Sequence, residues 1–188
     1  GDDAQDANIR GGLGIYFGDK LQGLSEGIKA YGIQPGYAKI KKNGELVRVD
    51  YAELKQRGIL KPVYDAEGRP LIIQVYAWDI SEPYNSENNP LVDVEVWQVK
   101  RGGTPDFILM SSIFDVLYPE DRVQRFTQEI VFGKAAYQLL KRLNIIPDIL
   151  HLNEAHTVVA AAQARADENF NKTAIVLTIH TNVPAGLE

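Results

Sequence analysis

The chain has 188 residues, of which 45% are hydrophobic and 24% charged, a balance typical of a globular domain with a substantial core. Its net charge of −5 leaves no basic stripe to neutralise phosphates, which argues against nucleic-acid binding and against attachment to an anionic membrane surface. The chain has no cysteine, which excludes disulfides and thiolate zinc sites, and it shows no long apolar run and no signal-peptide pattern. These features predict a cytoplasmic protein.

The first part of the chain combines an acidic start with a cluster of glycines. Residues 1–10 are acidic and show no apolar period, so we expect a flexible lead-in there. The cluster Gly11-Gly12-Leu13-Gly14 is predicted to be a loop that turns into a helix reaching about Lys29. Adjacent glycines allow backbone N–H groups to converge on an anion at a helix N-terminus. A purely structural turn explains the same residues, and the cluster matches neither the dinucleotide-binding fingerprint nor the P-loop.

The middle of the chain is predicted to form strands. Candidate strands lie at residues 71–78 and 91–99, and in the second of these three valines alternate with acidic residues, the period of a half-buried strand. Residues 101–106 are rich in turn formers and lead into an apolar stretch at residues 107–111. The pattern predicts an antiparallel hairpin with a longer loop.

Helical spacing begins after Pro119 and ends before Pro147. The apolar residues predicted to share one face of this helix are Val123, Phe126, Ile130, Val131, Ala135, Leu139, Leu140 and Leu143. A short strand at residues 148–152, a helix at residues 154–167 and a buried strand of β-branched residues at 173–179 follow. This order is a βαβ unit, and such units build parallel sheets.

Polar residues follow both strands of the βαβ unit, at the edge where parallel sheets bind ligands. In the first set, residues 151–156, Asn153 is predicted to cap the helix and Glu154 to favour its positive end, which explains half of the set without function. The second set, residues 178–186, contains His180. All three histidines of the chain lie in these two sets, which favours a site. A metal site is disfavoured because the two histidines of the first set are five residues apart, whereas the metalloprotease helix places them four apart.

Taken in this order, the motifs resemble those of the α-glucan phosphorylase family. The resemblance rests on the glycine loop, on Leu-Asn-Glu-x-His at residues 152–156 and on His-Thr-x-x-Pro at residues 180–184. Gln-Glu-x-x-x-Gly at residues 128–133 and Pro-Asp-x-x-His at residues 147–151 support it. It covers nearly the whole chain from Gly11 to Glu188.

The resemblance implies an α/β fold, a Rossmann-like parallel-sheet lobe of the GT-B glycosyltransferase type with an antiparallel β-hairpin insertion. Residues 11–188 are then part of the N-terminal lobe. The implied reaction transfers the non-reducing-end glucosyl unit of an α-1,4-glucan or maltodextrin to inorganic phosphate, which yields glucose 1-phosphate. The implied cofactor is pyridoxal phosphate, bound mainly by a second lobe of the same protein, so the isolated chain is expected to be inactive. A homodimer is a further expectation.

The resemblance also assigns site residues. Backbone N–H groups of the glycine loop are expected to face the phosphate and the glucosyl unit, at Gly11, Gly12, Leu13 and Gly14. His180 is the expected catalytic residue, at the primary hydroxyl of the sugar, with Thr181 beside it. The wall of the site near the glucan is expected to consist of Asn153, Glu154 and His156. Fixed dipoles in a dry cleft stabilise charge that develops during transfer.

Departures from the family pattern leave the substrate and other functions open. The family commonly has histidine where Lys20 stands and proline where Asn182 stands, and no lysine lies in a context like that of the cofactor's Schiff base. One alternative is the lobe of a nucleotide-sugar-dependent glucan synthase, whose glycine loop usually follows a lysine and a threonine rather than Asn8-Ile9-Arg10. The other is a non-catalytic glucan-binding domain.

Overall fold

The computed structural model describes residues 27–42, 45–77, 89–101 and 103–179. Predictions for the acidic lead-in, the glycine loop and residues 180–188 lie outside these ranges. The described strands, in chain order, are β1 (Gly32–Pro35), β2 (Lys39–Lys42), β3 (Glu45–Arg48), β4 (Lys61–Pro62), β5 (Ile72–Tyr76), β6 (Leu91–Arg101), β7 (Thr104–Met110), β8 (Ile149–Asn153) and β9 (Ala174–Thr178). The α-helices are α1 (Tyr51–Gln56), α2 (Arg122–Arg142) and α3 (Val158–Arg165).

The chain divides into two compact units. The first contains the described residues up to Ile72 together with Glu95–Tyr118, and the second contains Ile73–Val94 and the residues from Pro119 onward. In the first unit β1 runs parallel to β7, β7 pairs antiparallel with β6, and β4 pairs antiparallel with β6. A core cluster of this unit consists of Leu54, Leu60, Val99 and Ile108. The helix α1 begins after Asp50, whose carboxylate accepts a hydrogen bond from the N–H of Glu53 at 2.9 Å.

The predicted antiparallel hairpin is confirmed, but its connection is shorter than predicted. Arg101 pairs with Thr104, so only two residues connect β6 and β7. Gly103 has a φ of +90°, a conformation that glycine adopts without steric cost. Asp106 was expected in the loop, but it lies within β7 with 1% of its surface exposed. Its burial is supported by Gln34 of β1, whose Nε2 donates to Oδ2 of Asp106 at 2.6 Å.

The strand predicted at residues 71–78 is confirmed over Ile72–Tyr76. Ile73 and Val75 are buried while Ile72 and Tyr76 are exposed, which is the alternation of a strand with one face on the core. The strand β5 pairs with β6. In the part of β6 that belongs to the second unit, Asp93 accepts a hydrogen bond from Nε2 of Gln74 at 2.8 Å.

The predicted long helix is confirmed as α2. Its first turn is capped by Asp121, whose carboxylate accepts hydrogen bonds from the N–H groups of Val123 and Gln124. Burial runs from Gln128 to Leu140, so Phe126 lies before the covered part and is 45% exposed, contrary to the prediction. None of the described helices has both the length and the apolar character needed to cross a bilayer.

The predicted βαβ unit is confirmed. It differs from the prediction at the start of its helix and in the burial of its second strand. The strands β8 and β9 are parallel, with Ile149 opposite Ala174 and Asn153 opposite Thr178. A 3-10 turn, Ala155–Thr157, precedes α3. Asn153 is the last residue of β8, so the capping role predicted for it is wrong.

The strand β9 was predicted to be buried, but two of its apolar residues are partly exposed. Val176 and Leu177 are each 44% exposed, and Ile179, just after the strand, is 55% exposed. A run of β-branched residues indicates that a segment suits a strand. Burial also needs elements packed on both faces, which the composition of a strand does not specify.

Close contacts join α2 to α3 and to the residues that follow α3. At Gly133 the two helices approach so closely that an added Cβ would lie 2.5 Å from Cβ of Val159. Near the end of α2, Tyr137 donates its hydroxyl to Oδ2 of Asp167 at 2.6 Å and Lys141 lies 2.9 Å from the same oxygen. These bonds, the Tyr137 hydroxyl foremost, hold the pKa of Asp167 well below its usual range.

Candidate active site

The carboxyl ends of β8 and β9 lie side by side, because the strands are parallel and in register up to Asn153 and Thr178. His151 and Thr178 link the two strands through their side chains, with 2.7 Å between Nε2 and Oγ1. Parallel sheets bind ligands at this kind of edge. We call the residues from His151 to Thr157 together with Thr178 the strand-end cluster.

Glu154, at the centre of the strand-end cluster, has an unusual backbone conformation. Its φ is +63° and its ψ is 170°, in a region that is populated almost only by glycine. Holding a non-glycine residue there costs about 1–3 kcal/mol. Its N–H donates to the carbonyl of Thr178 at 2.9 Å, and its carbonyl accepts from the hydroxyl of Thr157 at 2.8 Å. Such strain is characteristic of functional sites, where a particular side chain is retained despite the cost.

His156 is a partly buried imidazole beside this strained residue. Burial is the main cause that lowers the pKa of His156 below its ordinary value. The Glu154 carboxylate acts in the opposite direction and the Arg125 guanidinium adds to the lowering. The ring lies 6.3 Å from that of Phe132, centroid to centroid. At neutral pH the side chain is therefore an uncharged hydrogen-bonding group.

The helix α2 contributes an ion pair, one member of which, Arg125, acts on His156. Arg125 donates its Nε to Oε1 of Glu129 at 3.4 Å, and both side chains are partly buried. Burial raises the pKa of Glu129, and the charge of Arg125 partly offsets this. Gln128, the other polar residue of the Gln-Glu-x-x-x-Gly segment, is 2% exposed. Within the strand-end cluster, the Glu154 carboxylate and the neutral imidazole of His156 can bind a ligand rich in hydroxyl groups.

The structure brings some of the predicted site residues together. Asn153, Glu154 and His156 lie within the strand-end cluster, and Asn153 is 3% exposed. The remaining predicted residues lie outside the described part of the chain, so their roles stay predictions: Gly11, Gly12, Leu13, Gly14, His180 and Thr181. Within the described ranges no group of His, Asp and Glu side chains could hold a metal ion.

Two contacts of the cluster were not predicted. His151 bonds to Thr178, and Thr157 bonds to Glu154. The concentration of all histidines at the two strand ends was a usable signal for the first contact. The second contact depends on the positive φ of Glu154, and no pattern in the sequence indicates it.

A family model described as the starch synthase catalytic domain matches residues 10–186. Among curated proteins, the chain is 32% identical over 201 residues to the maltodextrin phosphorylase of Thermococcus litoralis, covering 94% of the chain and 23% of that protein. It is 26% identical over 215 residues to the glycogen phosphorylase of Mycobacterium tuberculosis, covering 96% of the chain and 24% of that protein. The chain thus spans about a quarter of the length of these relatives.

Among solved structures, the chain is similar to the catalytic domain of starch synthase IV from Arabidopsis thaliana, bound to ADP and acarbose. The TM-score is 0.59 at 19% identity, over 92% of this chain and 31% of that one. At this identity the likeness shows the fold alone. It confirms the predicted GT-B class, and the phosphorylase relatives confirm the predicted resemblance.

Proposed function

From the premise that the chain belongs to the starch synthase catalytic domain family, we propose that it is the N-terminal part of an α-glucan phosphorylase. The reaction proposed is the transfer of the non-reducing-end glucosyl unit of an α-1,4-glucan to inorganic phosphate. The observation that carries this proposal is the similarity to phosphorylases, at 26–32% identity over 94–96% of the chain. The solved starch synthase shares 19% identity, which supports the fold without favouring its substrate.

The strand-end cluster supplies the glucan-facing wall in this proposal. The Glu154 carboxylate accepts hydrogen bonds from sugar hydroxyls, and neutral His156 donates or accepts one without adding a charge. The glycine loop, residues 11–14, would present N–H groups to the phosphate, and His180 and Thr181 would contact the glucosyl unit. These interactions position the reactants, which supports transfer only if they hold in the transition state.

The described residues do not fit pyridoxal phosphate. A Schiff base needs an uncommitted lysine amine in an enclosed site. Lys134, whose pKa burial lowers, donates its Nζ to the carbonyl of Tyr76 at 2.8 Å. Other lysines form partly exposed ion pairs, among them Lys39 and Lys141. The proposal therefore assigns the cofactor to a second lobe of the same protein.

A glucan synthase that uses a nucleotide sugar is the second candidate. The description of the matching family model favours it. It needs neither inorganic phosphate nor pyridoxal phosphate. The two candidates therefore differ in the co-substrate that they require, which a single set of assays can measure.

The test assays the protein, expressed with whatever sequence flanks these residues in its gene, for glucose 1-phosphate release from maltodextrin, phosphate and pyridoxal phosphate. In parallel it is assayed for maltodextrin elongation with ADP-glucose and UDP-glucose. Phosphate-dependent release is the expected result. Elongation alone would replace the proposal with the synthase, and maltodextrin binding without either activity would replace it with a glucan-binding domain.

A side-chain variant ties the activity to the strand-end cluster. Glu154→Gln removes the charge and keeps the shape, and we expect kcat/KM for maltodextrin to fall about 10-fold or more. Glu168→Gln, an exposed position elsewhere in the second unit, is the matched control and should leave kcat/KM unchanged. Equal kinetics for both variants would remove Glu154 from the proposed site.

A further inference from the structure

We propose that Thr157 is a positioning residue for this site, acting by holding Glu154 in its strained conformation. The inference rests on the proposed function, because it gives the Glu154 carboxylate a substrate to face. Thr157 belongs to none of the residues that the motifs assign to the site.

Hydrogen bonds hold the backbone of Glu154 on both sides of its Cα atom. On one side its N–H donates to the carbonyl of Thr178 at 2.9 Å, which ties it to β9. On the other side its carbonyl oxygen accepts from the hydroxyl of Thr157 at 2.8 Å and from the N–H of Thr157 at 3.3 Å. Thr157 thus supplies both donors that the carbonyl receives from the turn.

The hydroxyl of Thr157 is not used as a helix cap. Thr157 occupies the residue before α3, where a threonine commonly accepts a hydrogen bond from an N–H of the first helical turn. It makes no such bond here. Its hydroxyl instead points back, 2.8 Å from the Glu154 carbonyl and 3.3 Å from the Asn153 carbonyl. The side chain therefore serves the turn that carries Glu154 rather than the start of the helix.

Loss of this bond should redirect the Glu154 side chain. The hydroxyl bond is the shortest of those that hold Glu154, and a non-glycine residue has a lower energy at negative φ. A rotation to negative φ changes the direction in which the Cα–Cβ bond of Glu154 points, so it moves the carboxylate relative to Thr178 and His156. Displacements of this size in a positioning group lower catalytic efficiency by large factors.

The kinetic test compares Thr157→Val, which keeps the shape and removes the hydroxyl, with Thr157→Ser, which keeps the hydroxyl. In whichever glucan reaction the protein catalyses, we expect Thr157→Val to lower kcat/KM about 10-fold or more and Thr157→Ser to stay within about 2-fold of wild type. Thr127→Val is the matched control, since Thr127 makes a similar hydroxyl-to-carbonyl bond to Val123 at 2.8 Å within α2. It should leave the kinetics unchanged.

A second readout does not depend on activity. Hydrogen exchange of the Glu154 amide reports its bond to Thr178, and we expect exchange to be about 10-fold faster in Thr157→Val and unchanged in Thr127→Val. In a Glu154→Gly background the same substitution should have no effect on this amide, since glycine needs no support at positive φ. If Thr157→Val alone does not fold, a folded double variant with Glu154→Gly supports the proposal and an unfolded one overturns it.

The two readouts separate the possible failures. The proposal is overturned if the Glu154 amide exchanges at the wild-type rate in Thr157→Val. It is also overturned if this exchange is faster but kcat/KM is unchanged, because Thr157 then holds the backbone without an effect on the site. If the protein neither releases glucose 1-phosphate from maltodextrin nor elongates maltodextrin, the proposed function is contradicted instead. In that case the exchange of the Glu154 amide alone decides whether Thr157 positions this residue.

Discussion

Glu154 combines a charged side chain with a backbone conformation that suits glycine. At an ordinary position glycine is less stable than alanine by about 0.5–1 kcal/mol. At residue 154 we expect the reverse, with Glu154→Gly more stable than Glu154→Ala by about 1 kcal/mol, because alanine carries the steric cost of φ +63°. Urea unfolding of both variants measures the difference.

A control for this comparison lies on an exposed part of α3. Ala162→Gly should follow the usual order and lower the free energy of unfolding by about 1 kcal/mol relative to wild type. If glycine is also the weaker residue at position 154, the positive φ of Glu154 carries no cost and its strain cannot be an argument for function.

His156 should make the stability of the protein depend on pH near neutrality. Its pKa in the folded state is below the value of about 6.5 for an unfolded chain, so the unfolded state binds more protons in that window. The contribution of neutral His156 is complete above about pH 6.5 and is lost as the pH falls through that value toward the folded pKa. We expect the stability advantage of wild type over His156→Gln to shrink between pH 8 and pH 5.

Comparing wild type with His156→Gln separates the contribution of His156 to the pH dependence from that of other titrating groups. The pKa of Glu129 is raised in the folded state, so its contribution to stability depends on pH with the opposite sign. That contribution is lost as the pH rises above the pKa of Glu129 in the unfolded chain. It is present in both proteins, so its effect largely cancels in the difference. Urea unfolding at several pH values provides the measurement, and parallel curves for the two proteins would contradict a lowered pKa of His156 in the folded state.

At the scale of elements, the close approach of α2 and α3 depends on Gly133. An added Cβ would lie 2.5 Å from Cβ of Val159 and 2.8 Å from the backbone N of Ala160, closer than atoms pack. Within a helix, alanine is more favourable than glycine by about 1 kcal/mol. Because the added Cβ collides with α3, we nevertheless expect Gly133→Ala to lower the free energy of unfolding by roughly 1–3 kcal/mol. Chemical unfolding tests this, with Gln124→Ala at an exposed position of α2 as the control.

The outcome of this test bears on the meaning of the Gln-Glu-x-x-x-Gly segment. A stabilised Gly133→Ala variant would show that the helices can separate without cost, and the glycine would need another explanation. Destabilisation would show that Gly133 is required because it lets α3 pack against α2. The neighbouring residue of α2, Phe132, contacts His156 in the 3-10 turn, with 6.3 Å between the ring centroids.

The elements differ in how far their sequence could predict them. The helix α2 and the strands β5, β6, β8 and β9 have a clear period or a run of β-branched residues, and all were predicted. The short segments between Gly32 and Pro62 have two to six residues each, too few to establish a period. The hairpin loop was predicted too long because Asp106 resembles a turn residue, whereas the structure buries it in β7, where Gln34 donates a hydrogen bond to it.

At the scale of the whole molecule, the described part of the site lies within one unit. The strand-end cluster and α2 both belong to the second unit. The residues predicted to complete the site, in the glycine loop and at His180, lie outside the described ranges. The activity assays therefore test the whole site, whereas the unfolding measurements test the cluster that the structure describes.

The sequence by itself determined the α/β class, the long helix, the βαβ unit and the family resemblance, because each depends on local periods and on motifs read along the chain. The tertiary structure alone decided which residues are buried and how the strand ends are built. It showed that Phe126 and β9 are partly exposed and that Asn153 ends a strand. The positive φ of Glu154 could not be predicted, because it is maintained by hydrogen bonds to Thr157 and to Thr178, a residue 24 positions away on a neighbouring strand.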